Sequence, residues 1–165
     1  MVVVFFANGF EEIEGITPVD LLRRAEIDVT TVGVGGKVIF GAHKIAFACD
    51  MDDGQLSFEN IDMIVLPGGM PGTLGLERSE TVQKAIRHCV ENNIPIAAIC
   101  AAPSILGHLG LLKDKKAISY PGYEEELTGA QVIYENVVTD GNFITSRGPG
   151  TAIEFSLKIV EHFKG

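Results

Sequence analysis

Residues 94–103 read Ile-Pro-Ile-Ala-Ala-Ile-Cys-Ala-Ala-Pro. An apolar run without alternation is what a strand needs when both its faces are covered, as in a parallel sheet. Ile94–Ile99 is therefore read as a buried strand, and Ala102–Leu109 as a short helix that follows it directly. Cys100 falls at the junction. Outward from there the pattern repeats. Val2–Phe6 is another continuous apolar run rich in β-branched residues, ended by Asn8-Gly9, and Val29–Val34 is a further strand. Ile61–Leu66 is stopped by Pro67-Gly68-Gly69. Between them lie helices. One is placed near Thr17–Ala25, with Thr17 a possible N-cap and Pro18 at the first helical position. Another is capped by Ser79 and reaches about Asn92, its Val82, Ala85, Ile86, Cys89 and Val90 following a helical stripe. Lys37–Cys49 reads as a short hairpin around Gly41, and Ala117–Ser119 as a fifth strand. Val137-Val138 and Phe143–Thr145 flank Asp140-Gly141, a hairpin signal. A closing helix runs from about Gly150 to Phe163. Strands alternating with helices predict an α/β fold, a doubly wound, mostly parallel sheet covered on both faces.

The chain has 165 residues, which suits a single domain over 1–165 with one sizeable core. A formal net charge of −9 argues against general affinity for nucleic acid or for anionic membranes. Met1–Ala7 lacks a basic leader and is too short to span a bilayer. The three cysteines, Cys49, Cys89 and Cys100, have no paired spacing, so no disulfide framework is expected and a reducing cytoplasm is the simpler location. No Cys-x-x-Cys or His-Glu-x-x-His occurs, and no metal is expected.

In open parallel sheets ligands bind beyond the carboxyl ends of the strands. Those ends are Asn8–Glu14, Pro67–Gly69, Cys100–Pro103 and Ser146–Gly150, so all four stretches are expected to meet at one edge. A cysteine on a strand-to-helix turn projects beyond the sheet, and the amides that open the next helix should stabilise its thiolate and lower its pKa. The plainer reading of Cys100 is a buried structural thiol. Cys89 belongs to a helical stripe and reads as core; Cys49 reads as structural. Gly68-Gly69 is either a turn that needs unusual φ or a source of amides that, with the N–H of Ala101, hold an oxyanion. Glu11, Glu12 and Glu14 are either a solvated acidic turn or the source of a carboxyl beside the thiolate, its pKa raised by burial and like charge. Arg147 can hold an anionic group or pair with a carboxylate such as Asp20. Arg23 and Arg24 read as a solvated face with a possible anion role. No histidine among His43, His88, His108 and His162 is placed beside Cys100.

Four motifs in order carry a resemblance: Asn-Gly-Phe-Glu-Glu-Ile-Glu at 8–14, Leu-Pro-Gly-Gly at 66–69, Ala-Ala-Ile-Cys-Ala-Ala-Pro at 97–103 and Thr-Ser-Arg-Gly-Pro-Gly-Thr at 145–151. Together they resemble the ThiJ/PfpI superfamily, and within it the parkinsonism-associated deglycase subgroup. The resemblance implies a flavodoxin-like fold, a homodimer, Cys100 as the reactive cysteine with Glu14 as its carboxyl partner, and the amides of Gly69 and Ala101 around the bound group. It also implies that Arg24 lies near the other subunit's site. The activities it implies are cofactor-independent glyoxalase action on methylglyoxal or glyoxal, and removal of early glycation adducts from proteins. Two positions depart from relatives. Tyr120 stands where many carry His, which removes the expected Cys–His relay and leaves Tyr120 as a candidate binding residue. Ala101 stands where the protease-like branch carries His, which argues against peptidase chemistry. The Gly-flanked cysteine and His-x-Glu of class I glutamine amidotransferases are absent.

The expectation is thus a cysteine-dependent enzyme acting on small 2-oxoaldehydes or their protein adducts. The rival is a redox-responsive protective protein in which Cys100 is oxidised.

Overall fold

In the computed structural model, which describes residues 1–165, Val2–Phe6 (β1) lies inside a seven-stranded sheet. Beside it on one side are Val29–Gly33 (β2) and the two-residue edge strand Met51–Asp52 (β5). On its other side come Met63–Leu66 (β6), Ile96–Ile99 (β7), Phe143–Ser146 (β11) and the edge strand Val137–Asp140 (β10). Every pairing is parallel except the β10–β11 hairpin, which turns at the predicted Asp140-Gly141. The remaining strands stand outside this sheet: Val38–Phe40 (β3) with Ala46–Ala48 (β4), the expected hairpin, and Lys116–Ala117 (β8) with Gln131–Val132 (β9). The predicted fifth strand is therefore shorter than Ala117–Ser119 and belongs to a small ribbon; Ile118 instead donates its N–H to the Thr145 hydroxyl on β11 at 3.0 Å.

Alternate residues of the central strands feed two separate cores, which is why β1, β6 and β7 carry no polar positions. Val3, Phe5, Ile64, Leu66, Ile96 and Ala98 join Val82, Ala85, Ile86 and Cys89 of Glu80–Glu91 (α3) and Ile105 and Leu106 of Pro103–His108 (α4). Val2, Val4, Phe6, Met63, Val65, Ala97 and Ile99 face the other way. They meet Val19 and Leu22 of Glu12–Arg24 (α1) and Phe155 and Ile159 of Ala152–Lys164 (α5). Cys49 and Cys89 sit on opposite sides of the sheet, both buried as expected.

Two helices depart from expectation. The first starts at Glu12 and not near Thr17, because Glu11 is the cap: its carboxylate accepts the Ile13 N–H at 3.4 Å, and its own N–H donates to the Gly68 carbonyl at 2.9 Å. Thr17 and Pro18 lie inside that helix. A helix over Gly72–Arg78 (α2), not predicted, follows the Gly68-Gly69 turn; its glycines and the Pro71 before it mask the helical pattern.

The chain runs from β1 outward through β2 to β5, then returns to β6 on the opposite side of β1. That reversal opens a crevice at the carboxyl ends of β1 and β6. Phe155 is fully buried where α5 packs on α1. Phe155→Ala is expected to cost about 3–5 kcal/mol in urea unfolding, while exposed Leu157→Ala on the same helix stays within about 1 kcal/mol.

Candidate active site

Cys100 leaves β7 with φ +66°, the left-handed region that a non-glycine residue enters only when its surroundings impose it. Here two hydrogen bonds impose it. The Cys100 N–H donates to the Ser146 carbonyl at the end of β11 (2.9 Å), and its carbonyl accepts the Tyr120 N–H (2.8 Å). Clamped from both sides, the residue turns its side chain out of the sheet at the crevice. Its exposure is only 9%, enough for a small molecule and little more.

Of the three early glutamates, one faces the thiol. Glu14, in the first turns of α1, is completely buried, and its carboxyl interacts directly with the Cys100 side chain. Oε1 accepts the Gly68 N–H at 3.1 Å, across 54 residues of sequence. Oε2 is buried without a regular hydrogen bond. The approach depends on Gly68: a Cβ there would lie 2.6 Å from both the Cys100 Cβ and the Glu14 Oε1. The solvated-turn reading fails for Glu12 as well, which is buried. Its carboxylate accepts the His43 backbone N–H (2.9 Å to Oε2, 3.1 Å to Oε1) and lies 3.2 Å from His43 Nδ1. Glu11, Glu12 and His43 form the one group with metal-ligand spacing, ligand atoms within 4.8 Å of one another. The Glu12 oxygens are already engaged by His43.

Burial pushes the Glu14 carboxyl up to about 7, helped by the charge of Glu11, against the lowering effects of the Cys100 thiol and the Gly68 amide. The expected lowering of the Cys100 thiol is not what the geometry gives. Burial first, then the Glu14 carboxylate, push it above its ordinary value; the amides of Ala101 and Gly69 oppose this without reversing it. Above the Glu14 value the pair holds one proton between its two members. A thiolate is favoured only when Glu14 holds that proton, and the protonated carboxyl then has a hydrogen to give to sulfur. No histidine acts on the sulfur. Burial also raises Cys49 and Cys89, each to about 12, with the Asp50 charge adding to the rise at Cys49 and no amide opposing it at either.

The glycine pair divides its work. The Gly69 amide, with that of Ala101, points at the sulfur; the Gly68 amide is committed to Glu14 and cannot serve an oxyanion at the same time. Tyr120 contributes its backbone N–H, and its ring lies against Gly148. A cleft of about 350 Å³ opens beside this ring, lined by Tyr120, Asn136, Arg147 and the Gly148–Thr151 turn. Arg147 is exposed there with no carboxylate partner, only a 3.5 Å contact to Asn136 Oδ1. Arg24 is not part of the site within this chain; it pairs with Asp20 at 2.9 Å on the solvent face of α1, and Arg23 with Asp50. Sequence reading did not single out the Ser146 carbonyl or Asn136. Ser146 lies in a quoted motif, but nothing marks Asn136.

These features define a class: a flavodoxin-like fold with a strained cysteine and a buried carboxylic acid at the switch point. The chain belongs to the DJ-1/PfpI family, whose model matches residues 1–162. It is 41% identical to protein dj-1beta of Drosophila melanogaster, over 98% of this chain and 88% of that one. It is 38% identical to Protein DJ-1 homolog B of Arabidopsis thaliana over 99% of this chain, yet spans only 38% of that relative's length. Deglycase PfpI of Pyrococcus furiosus is 32% identical, over 96% of each chain. Among solved structures, oxidized DJ-1 of Toxoplasma gondii superposes with a TM-score of 0.94 at 31% identity, covering 99% of this chain and 90% of the other. No helix is long and apolar enough to cross a membrane.

The Glu14 pKa has a consequence for stability. Its folded value, about 7, lies above the ordinary 4.5, so the folded state holds the proton more tightly. Stability is therefore lost as pH rises through that window and is level above it. Relative to wild type, Glu14→Gln should gain about 3 kcal/mol on going from the bottom of the window to pH 8, read from urea midpoints. Parallel curves for the two proteins would mean that Glu14 ionises normally.

Proposed function

We propose that this protein is a glyoxalase-type enzyme in which Cys100 attacks small 2-oxoaldehydes, with the carboxyl of Glu14 as its proton carrier. The observation that supports this most is the wholly buried Glu14 facing a thiol held at φ +66°. The sulfur adds to the aldehyde carbon, and the new alkoxide takes the Glu14 proton, giving a hemithioacetal. The amides of Gly69 and Ala101 steady the oxygen as its charge develops. Glu14, now a carboxylate, removes the C1 hydrogen and returns it to C2 through an enediol. The product is a thioester of a 2-hydroxy acid, which water hydrolyses, freeing the thiol. A pKa near 7 suits a group that must both give and take a proton. The steps use this chain and water alone. Early glycation adducts on proteins offer the same carbon to the same thiol, and the relative named Deglycase PfpI supports that extension.

The working form is proposed to be a homodimer. Ile13 on α1 and Phe40 and Ile45 on the hairpin beside it are each about half exposed at the mouth of the site, an apolar rim suited to a second copy. Arg24, whose exposed pair with Asp20 leaves it on the solvent face of α1, then serves the neighbouring site, and Arg147 and Tyr120 orient the substrate in the cleft.

Lactate formation from methylglyoxal by chelator-treated protein tests the enzyme reading. Cys100→Ser is expected to abolish it and Glu14→Gln to lower it at least a hundredfold. Equal rates in wild type and Cys100→Ser would overturn the proposal.

One observation favours a second reading: the structure that superposes at TM-score 0.94 is of an oxidized relative. On that reading Cys100 is an oxidant sensor. Mild peroxide followed by mass spectrometry should oxidise Cys100 well ahead of Cys49; equal susceptibility would remove the sensor reading.

A further inference from the structure

His108 ends α4, the helix that follows Cys100, and both of its ring nitrogens face carboxylates. Nδ1 contacts Glu77 near the end of α2, and Nε2 lies 2.5 Å from Glu126 in the single helical turn Glu124–Glu126. Each of these three segments leads away from the crevice. α2 follows the Gly68-Gly69 turn, α4 follows Cys100, and the Glu124–Glu126 turn follows Tyr120.

A neutral imidazole has one donor and one acceptor nitrogen; only the imidazolium can donate to two carboxylates at once. Loss of one proton therefore leaves one carboxylate facing a lone pair, and that contact must open. Glu77 from α2 and Glu126 from the Glu124–Glu126 turn are the charged groups that act on the ring; no cation from any packed element competes with it. The two carboxylates hold its pKa above the ordinary value.

At the far end the Glu126 backbone packs on Gly107 of α4, and only its half-exposed carboxyl is free to move. Between Tyr120 and Leu127 the chain runs over the surface, and its hydrogen bonds are mostly internal: Tyr123 to Tyr120, Glu126 to Tyr123, Leu127 to Glu124, and Gly122 to the Glu124 carboxylate. Two bonds tie it to distant residues. At one end the Tyr120 N–H donates to the Cys100 carbonyl; at the other, Glu126 meets His108. Leu127 then anchors the segment in the core.

We propose that the Glu77–His108–Glu126 contact is a proton-operated clasp that sets how firmly the Tyr120–Leu127 segment is held against the nucleophile's backbone. With His108 charged, the segment is pinned at both ends and the strained Cys100 turn is supported. With His108 neutral, the Glu126 carboxyl is released into a run of three consecutive glutamates that repel one another, and the segment is held only by the Tyr120–Cys100 bond at one end and the packing of Glu126 and Leu127 on α4 and the core at the other. His108 touches no reacting atom; it is a positioning residue. The sign follows from the raised pKa: the clasp is fully closed below the ordinary histidine value and opens as pH rises through the folded one.

Hydrogen exchange of the peptide spanning 120–127, measured on the full chain from pH 6 to 9 and corrected for intrinsic exchange, tests this without reference to turnover. Wild-type protection should fall about tenfold across the His108 titration, the order expected for one charge-assisted hydrogen bond. His108→Gln should be weakly protected at every pH. Glu126→Gln should shift the midpoint to lower pH, a displacement that a merely structural contact does not produce. Alkylation of Cys100 by iodoacetamide, read by mass spectrometry, should show an inflection at the same midpoint that His108→Gln lacks. The proposal is overturned by pH-independent protection in wild type, by an unmoved midpoint in Glu126→Gln, or by alkylation profiles that coincide in wild type and His108→Gln. His108 and Glu126 are both solvent-accessible, so neither substitution removes core packing.

Discussion

The arrangement of this molecule converges on one proton held between two acids that burial discourages from ionising together. Glu14 and Cys100 come from opposite sides of the β1–β6 boundary, and their meeting requires a residue without a side chain at position 68. It requires a cysteine turned into an unfavourable backbone region, and neighbours on β11 and in the Tyr120 segment to keep it there. It also requires a helix that begins early enough to deliver Glu14 in its first turns. The turned Cys100 backbone is held by hydrogen bonds from Ser146 at the end of β11 and from Tyr120, and the early helix start by the Glu11 N–H on the Gly68 carbonyl. The two cores on either side of the sheet supply the rigidity that makes such local costs tolerable.

Much of this was legible in the order of residues. Continuous apolar runs announced strands covered on both faces, and the rule that ligands gather at carboxyl ends brought Glu14, Gly69, Cys100 and Ser146 to one edge. What escaped the sequence depended on partners distant along the chain. The start of α1 is set by Glu11, whose N–H is bonded to the Gly68 carbonyl, so a local search for caps settled on Thr17 instead. The helix α2 is built from Gly72, Thr73 and Gly75, residues whose propensities speak against it, and only packing recovers it.

The thiol illustrates a different kind of blindness. Helix-opening amides do face the sulfur, as the turn suggested, but sequence cannot weigh them against desolvation, and desolvation wins. The same weighing separates the two glycines: adjacent in sequence and alike in composition, one amide serves the carboxyl and the other the sulfur. Asn136 and the His108 clasp lie outside every recognised motif.

Parallel strands also give the sheet a working end and an idle one. The groups discussed above gather beyond the carboxyl ends. At the amino ends, the connections through Glu26–Asp28, Glu59–Asp62, Asn92–Asn93 and Gly141–Asn142 are largely exposed. Those connections are the places where foreign sequence can be grafted, a reporter or an affinity loop, without passing near Glu14 or Cys100. The polarity of the strands thus makes the molecule a scaffold whose chemistry and whose tolerance of insertion lie on opposite rims.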